Sequence, residues 1–141
     1  MAQRVVSATW SPGPLNSTVE FDTGATMLVD EPVSVGGTGQ GPQPTDLFLA
    51  SISSCFTLAL VYAAGKAGLS LTSVRVVATG TYAGPRFSDI AIHAELGGVD
   101  ASEHAGLLVA AERVCYVTNT LRRLPTLNAA ASVVAADDTS L

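Results

Sequence analysis

Charged residues are scarce in this chain. Asp, Glu, Lys and Arg make up 13% of its 141 residues, whereas hydrophobic residues make up 48%. A small monomer of this composition has too little polar surface to cover itself. We therefore expect much of the apolar surface to lie in a subunit interface, most simply that of a two-fold homodimer. The length fits one domain, residues 1–141.

Basic residues and cysteines are few as well. Seven Lys and Arg against twelve Asp and Glu give a net charge of −5, so the sequence predicts no cationic surface for nucleic acid. Two cysteines are too few for a secreted disulfide scaffold. The N-terminal residues are too polar for a signal peptide. We expect a cytoplasmic protein whose thiols are kept reduced.

One long segment, residues 45–66, is predicted to form the central helix. Thr45 or Asp46 can cap its N-terminus, and Gly65 and Gly68 end it. Apolar residues cover nearly every side, which predicts a helix that is buried all round or lies in a bilayer. Several Ser and Thr residues and weak basic flanks count against the bilayer. The remainder also needs this helix for its core, so we expect no membrane association.

Strand patterns surround the central helix. A glycine-rich loop at 36–44 precedes it; the loop lacks the lysine of a phosphate-binding loop, and we interpret it as a flexible connector. A second helix is predicted from an N-cap at Ser102 to Val114, followed by a short helix at 118–123. The predicted strands are residues 5–10, 18–21, 25–29, 71–82, 87–96 and 127–136.

This order predicts an α+β fold with two layers, in which two long helices lie on mainly antiparallel sheets. The N-terminal strands fall within residues 1–35, and the later strands and second helix within residues 71–136. Residues 137–141 are expected to form a frayed tail.

The two thiols, Cys55 and Cys115, are the main chemical feature of the sequence. Neither thiol has a metal-ligand spacing to the other or to His93 and His104, which we expect at the surface, so we predict no metal site. Thiols on two helices suit a redox pair in which one attacks and the other resolves the product. The alternative is that Cys55 is a small buried core residue. A helical wheel predicts an apolar pocket on the face of Cys55, made by Phe48, Ser51, Ile52, Ala59 and Tyr62.

Three segments carry a resemblance to a known family. They are Gln43–Phe48 with Ser53–Phe56 (QPTDLF, SSCF), Gly84–Ile90 (GPRFSDI) and Ala111–Leu121 (AERVCYVTNTL). In their order and spacing they resemble the first cysteine segment, a strand start and the second cysteine segment of the OsmC/Ohr family. The resemblance covers residues from about 40 to 130.

The resemblance implies an intertwined homodimer, with two central helices packed inside and sheets outside. It also implies a thiol-dependent peroxidase that acts on organic hydroperoxides and also on H2O2. By this analogy Cys55 attacks the O–O bond and becomes a sulfenic acid, and Cys115 resolves it as a disulfide. A dithiol reductant, lipoyl-linked in some family members, would restore both thiols. No cofactor or metal is required.

Some positions differ from the family pattern. Where the family has a glutamate ten residues before the first cysteine, this chain has Thr45, and Asp46 follows it. The family's activating arginine has no counterpart between Val5 and Gly65. The candidate cations are therefore Arg4, Arg86 and Arg113. These differences leave an alternative function, a domain without efficient peroxidase activity that binds a small apolar or thiol ligand in the dimer cleft.

Overall fold

The computed structural model describes residues 2–135, which form an α+β domain with two antiparallel sheets and three helices. The first sheet has the order β1-β2-β3, and the second is the β4-β5 hairpin. The strands are β1 (Ser7–Thr9), β2 (Asn16–Glu20), β3 (Thr26–Asp30), β4 (Ser73–Tyr82) and β5 (Phe87–Gly97). The helices are α1 (Pro44–Lys66), α2 (His104–Val114) and α3 (Tyr116–Arg122). The predicted fold class is confirmed.

The β4-β5 hairpin follows the alternation of its sequence. Val76 pairs with Ala94, and Val74 pairs with Leu96. These four side chains pack against the helical core, because residues two apart on a strand point to the same face. The opposite face, which includes Arg75 and the exposed His93, is turned to solvent.

Helix α1 begins one residue earlier than the sequence predicts. Its N-cap is Gln43, and Pro44 is its first residue, a position where proline's fixed φ is favourable. The Asp46 carboxylate accepts the backbone N–H of Gln43 at 2.9 Å. The prediction of Thr45 or Asp46 as N-cap is therefore wrong, although Asp46 does stabilise the start of the helix.

The end of α1 depends on a glycine. Gly68 has φ +71°, a left-handed conformation that glycine adopts without steric cost. The N–H of Leu69 then donates to the carbonyl of Ala64 at 2.9 Å. This closure ends the helix next to Lys66, whose charge suits the C-terminal end of the helix dipole.

One side of α1 supplies the core of the domain. Its buried stripe consists of Ile52, Phe56, Ala59, Leu60, Ala63 and Ala64. Most of this stripe packs on Leu107 and Ala111 of α2 and on Cys115. The side chains of Leu58, Val61 and Tyr62 are exposed, at 69%, 51% and 55%. Burial on all sides is therefore not reached within one chain.

Helix α1 is long and apolar enough to cross a membrane by length and composition alone. One third of its most apolar window, 33%, is buried inside the domain. Here the buried stripe of this helix joins α2 and the β4-β5 hairpin, so α1 acts as a core helix.

Hydrogen bonds join the glycine-rich loop to Asp30 of β3, so the loop is not the flexible connector that the sequence predicts. The carboxylate of Asp30, which is only 1% exposed, accepts the backbone N–H groups of Thr38 and Gln40, both at 3.0 Å. It also accepts the Thr38 hydroxyl. The Thr38 bonds, with help from Gln40 and Asn16, outweigh burial and lower the pKa of Asp30 to about 2.

Two predicted elements differ from the structure. Ser102 does not cap α2, because Ala101–Glu103 form a 3-10 turn after Asp100, and α2 starts at His104. The predicted last strand is also wrong: residues 127–135 form no strand among the described residues. Leu127 and Val133 are more than 90% exposed, so these residues lack the hydrogen-bonded neighbour that a strand requires. Residues 136–141, with the predicted tail, lie outside the described part.

Candidate functional site

Cys55 lies on the border between the buried and exposed sides of α1. Cys55 is half-buried, between the exposed Ser54 and the buried Phe56. It opens on a cavity of about 550 Å³ between α1 and the end of α2. The other lining residues are Leu58, Ala59, Tyr62, Arg113, Val114 and Tyr116. This cavity is mainly apolar and holds one cationic side chain.

Cys115 lies behind Cys55 at the junction of α2 and α3. Its backbone is extended (φ −76°, ψ 107°), so it ends one helix and starts the next. Its N–H donates to the carbonyl of Ala111 at 2.9 Å. The side chain is 0% exposed. Helix α1 and the α2-α3 junction thus bring together two thiols that are far apart in sequence.

The two thiols are free, and Cys55 packs against the buried cluster that contains Cys115. Burial opposes ionisation of the Cys115 thiol, but hydrogen bonds outweigh it and lower the pKa of Cys115 below its ordinary value. Thr118 contributes through its hydroxyl and its backbone N–H, and the Cys55 side chain and the Val117 N–H add to the effect. Cys115 therefore lies next to the thiol that opens on the cavity.

The structure separates the three candidate cations. Arg113 lines the Cys55 cavity, and its carbonyl accepts the side-chain amide of Asn119 at 3.2 Å. Arg86 lines a different groove. Arg4 forms an exposed ion pair with Asp22 at 3.5 Å. Among the three, only Arg113 shares the cavity with Cys55.

The remaining predicted site residues are distributed over two places. Tyr62 lines the Cys55 cavity, together with Ala59. Ser51 does not: its exposed hydroxyl donates to the carbonyl of Phe48 at 2.6 Å, along the helix. The helical-wheel prediction therefore fails for Ser51. It also fails for Phe48, which lines the groove described next, and for Ile52, which is fully buried in the core.

Thr45 lies in a second groove, of about 670 Å³, formed by the start of α1, the β4-β5 turn and α3. The Thr45 and Tyr82 hydroxyl oxygens are 2.7 Å apart, within hydrogen-bonding distance. Tyr82 stacks on Phe87 with ring centroids 4.7 Å apart. Asp46 does not line either space; its carboxylate accepts the Gln43 N–H. The position of the family's glutamate is thus occupied by a neutral hydrogen-bonded pair.

Sequence reasoning missed several residues of this region. Leu58, Val114 and Tyr116 line the Cys55 cavity, and Tyr82 pairs with Thr45. Thr118 is only 5% exposed beside Cys115. A threonine three residues after a cysteine, at the start of a helix, was the available signal for Thr118. The cavity residues had no such signal, because they depend on how α1 and α2 pack.

Comparison with known proteins gives consistent results. A family model described as OsmC-like protein matches residues 37–129. An uncharacterized protein of Acinetobacter baylyi is 30% identical over 95 residues, which cover 64% of this chain and 66% of that protein, just under two thirds of its length.

Solved structures agree with this match. An organic hydroperoxide resistance protein OsmC from Legionella pneumophila has 26% identity and a TM-score of 0.70, with 87% of this chain and 91% of that chain covered. An organic hydroperoxide resistance protein from Elizabethkingia anophelis has 27% identity and a TM-score of 0.71, with 88% and 91% covered. The range that the family model matches, residues 37–129, contains both cysteines of this chain.

Proposed function

The chain belongs to the OsmC-like protein family, and from this premise we propose that it is a thiol-dependent peroxidase that reduces organic hydroperoxides and also H2O2. OsmC/Ohr proteins are known for hydroperoxide resistance, and the similar Legionella and Elizabethkingia proteins are described as organic hydroperoxide resistance proteins. The proposal assigns this activity to Cys55 and Cys115.

The arrangement of the two thiols carries the proposal. Cys55 is half-buried at a mainly apolar cavity, whereas Cys115 is fully buried in the core cluster against which Cys55 packs. An attacking thiol must meet the substrate, and a resolving thiol must meet the attacking one. The apolar lining suits an organic hydroperoxide.

The proposed reaction has three steps. The Cys55 thiolate attacks the terminal, hydroxyl-bearing oxygen of the hydroperoxide and becomes the sulfenic acid. The O–O bond breaks, and the alkoxide takes a proton and leaves as an alcohol. Cys115 then attacks the Cys55 sulfenic acid, forming a disulfide and releasing water. A dithiol, such as a lipoyl group, returns both cysteines to thiols while it is itself oxidised to a disulfide. The cycle uses no metal or cofactor.

The proposal includes a source of positive charge. Arg113 lies in the same cavity as Cys55, and a nearby cation favours the thiolate over the thiol. We assign the activating role to Arg113 rather than to Arg4, which pairs with Asp22, or Arg86, which lines the other groove.

The proposed setting follows from the family and the composition. OsmC/Ohr proteins are soluble and typically homodimers that act on hydroperoxides. We propose that this protein is a cytoplasmic homodimer, built from one OsmC-like domain over residues 1–141. Reduced thiols in that compartment would keep the enzyme ready to react.

A second function is supported by one observation. Thr45 occupies the position of the family's glutamate and is within hydrogen-bonding distance of Tyr82, so no carboxylate stands there to orient a cation or a peroxide. In this alternative the domain has no efficient peroxidase activity and binds a small apolar or thiol ligand in the dimer cleft.

The test is the loss of free thiols after one equivalent of cumene hydroperoxide is added to the reduced protein. The peroxidase predicts that both thiols disappear together within seconds, and that Cys55→Ser prevents the reaction. Cys115→Ser should instead accumulate a sulfenic acid on Cys55. Cumyl alcohol, which lacks the O–O bond, is the matched control and should consume no thiol.

Thiols that survive for many minutes would contradict the peroxidase and favour the ligand-binding alternative. Screening small apolar and thiol compounds against the reduced protein would then be the next measurement. Loss of one thiol only in the unmodified chain would contradict the resolving role of Cys115.

A further inference from the structure

Helices α2 and α3 meet at a single residue, Cys115. Helix α2 ends at Val114, α3 begins at Tyr116, and the backbone of Cys115 between them is extended. The φ and ψ of Cys115 are therefore the dihedrals about which α3 could turn relative to α2. Because the last carbonyl groups of a helix have no partner within it, bonds from other residues are needed to close such a break.

Asn119 of α3 bonds to both sides of this break. Its backbone N–H donates to the carbonyl of Cys115 at 3.0 Å, which is the first hydrogen bond of α3. Its side-chain amide donates to the carbonyl of Arg113 at 3.2 Å, in the last turn of α2. The side-chain bond therefore caps the end of α2 and links it to α3 across Cys115.

We propose that Asn119 is the positioning residue for the resolving thiol: its side-chain amide holds α3 on the end of α2, so that Cys115 stays against Cys55 in the reduced protein and the disulfide forms at a raised effective concentration. This inference rests on the proposed function and adds to it, since the proposed reaction gives Asn119 no role.

The packing of the two thiols explains why the junction matters. Cys115 is 0% exposed and belongs to the core cluster against which Cys55 packs. Two groups that are held together react as if at high concentration, and this advantage falls when one of them becomes mobile. Turning α3 at the break would move the Cys115 thiol relative to Cys55. A bond that restrains this turning therefore favours the disulfide over two separate thiols.

An ion pair also joins α2 to α3. Glu112 and Arg122 are 3.1 Å apart, but their side chains are 47% and 65% exposed, and exposed ion pairs contribute little and are screened by salt. The bond from Asn119 ends on a backbone carbonyl two residues before Cys115, and it does not depend on ionic strength. We therefore assign the positioning role to Asn119. Because Asn119 is itself exposed, water competes for its amide, and we expect a modest effect.

The first test measures the equilibrium between the two thiols and the disulfide in glutathione buffers. One glutathione disulfide takes two electrons and two protons from Cys55 and Cys115 and becomes two glutathione molecules. Asn119→Ala should need a more oxidising buffer. At half-oxidation, the ratio of the squared glutathione concentration to the glutathione disulfide concentration should fall by roughly three- to tenfold, as expected for the loss of one hydrogen bond. Acid quenching and mass spectrometry separate the internal disulfide from glutathione adducts.

Thr120 provides the matched control. Its exposed hydroxyl donates to the carbonyl of Tyr116 at 2.7 Å, so Thr120→Ala removes a side-chain bond that stays within α3 and should leave the half-oxidation ratio unchanged. Asn119→Asp keeps the shape of the side chain but lacks the N–H donor, and it should act like Asn119→Ala. An unchanged ratio in both Asn119 variants, or an equal shift in Thr120→Ala, would overturn the proposal.

Thermal unfolding of the variants checks the fold. Alanine has a higher helix propensity than asparagine, so Asn119→Ala should fold. A general loss of stability that affects the reduced and oxidised proteins alike does not move the half-oxidation ratio. The ratio therefore separates positioning of Cys115 from a merely structural role.

The second test follows the resolving step itself. One equivalent of cumene hydroperoxide is added to the reduced protein together with dimedone, which traps sulfenic acids. Asn119→Ala should raise the ratio of dimedone adduct on Cys55 to disulfide by about three- to tenfold, and Thr120→Ala should not change it. The same ratio in Asn119→Ala as in the unmodified chain would contradict the role of Asn119.

The glutathione test uses no peroxide, so this inference and the proposed function can fail separately. A shifted half-oxidation ratio together with thiols that survive cumene hydroperoxide would support the role of Asn119 and contradict the peroxidase. Rapid loss of both thiols to the hydroperoxide with an unchanged half-oxidation ratio would contradict the role of Asn119 alone.

Discussion

At the scale of single residues, the proposed activation of Cys55 depends on the cation that shares its cavity. Arg113 shares its cavity and Arg86 does not. Arg113→Gln should slow the loss of Cys55 thiol to cumene hydroperoxide by about three- to tenfold near neutral pH, since an exposed cation acts through screened attraction.

Arg86→Gln is the matched control for this prediction. It removes the same charge from the β4-β5 turn, which lines the other groove, and should leave the rate of thiol loss unchanged. Equal slowing by both variants would mean that the general charge of the surface, and not the cavity arginine, activates Cys55.

The lowered pKa of Asp30 leads to a separate prediction, which concerns how the free energy of unfolding depends on pH. Its pKa is lowered from 3.8 to about 2, chiefly by the Thr38 bonds. A carboxylate with a depressed folded-state pKa stabilises the native state above its unfolded pKa, and this contribution is lost as pH falls from about 3.8 through about 2. The free energy of unfolding should therefore fall across this window.

Asp30→Asn should remove that pH dependence and lower stability at neutral pH, because the amide supplies one acceptor oxygen where the carboxylate supplies two. Urea unfolding at several pH values measures both effects. The control is Asp100→Asn, at an exposed aspartate. This variant should leave the fall in the free energy of unfolding between pH 3.8 and pH 2 unchanged. If the free energy of unfolding of Asp30→Asn still falls across this pH range, another group is responsible for the pH dependence.

At the scale of elements, two glycines should respond to the same substitution in opposite ways. A Cβ on Gly80 of β4 would lie 2.6–2.8 Å from the Phe87 ring, whereas a Cβ on Gly106 of α2 would meet nothing within 4 Å. Gly80→Ala should therefore destabilise by about 1–3 kcal/mol through overpacking. Gly106→Ala should stabilise by about 0.5–1 kcal/mol through helix propensity.

Chemical unfolding of the two variants measures the difference, and near-ultraviolet circular dichroism should report movement of the Tyr82–Phe87 stack in Gly80→Ala only. Equal effects of the two substitutions would contradict the close contact between Gly80 and Phe87.

The sequence allowed local elements to be predicted better than their contacts. The extent of α1 follows from its long uncharged apolar segment and from Gly68, and the β4-β5 hairpin follows from its alternation of apolar and polar residues. All of these are local signals. The site residues were harder, because Arg113 reaches the Cys55 cavity only through packing of α2 on α1. Ser51 shows the limit of a helical wheel: its hydroxyl bonds to the preceding turn instead of facing a pocket.

The failed prediction of a strand at residues 127–136 has a different cause. The segment has strand-like side chains, but a strand exists only where another backbone bonds to it, and none does so among the described residues. Local sequence indicates the tendency to form a strand and does not identify the neighbour that completes it.

At the scale of the whole molecule, the exposed side of α1 is an apolar surface that the other described residues leave uncovered. Leu58, Val61 and Tyr62 are each more than half exposed, in a chain that is 48% hydrophobic. Apolar area of this kind on a helix is stable in water only when something covers it. A second copy of the chain, packed helix to helix, accounts for it and agrees with the homodimers typical of the family.

We therefore predict a dimer in analytical ultracentrifugation and expect Val61→Glu to weaken it by about a hundredfold or more, because the new carboxylate would be buried without a partner. Thr79→Glu places the same charge on the exposed face of β4 and should leave the dimer intact.

Val61 is not among the residues that line the Cys55 cavity. The rate of thiol oxidation in the dissociated Val61→Glu protein therefore tests whether the interface only joins the two chains or also contributes to the site. Unchanged reactivity would mean that one chain contains the whole site. Slower oxidation would mean that the second copy completes the cavity or excludes water from it. A monomeric unmodified chain would contradict the dimer prediction itself.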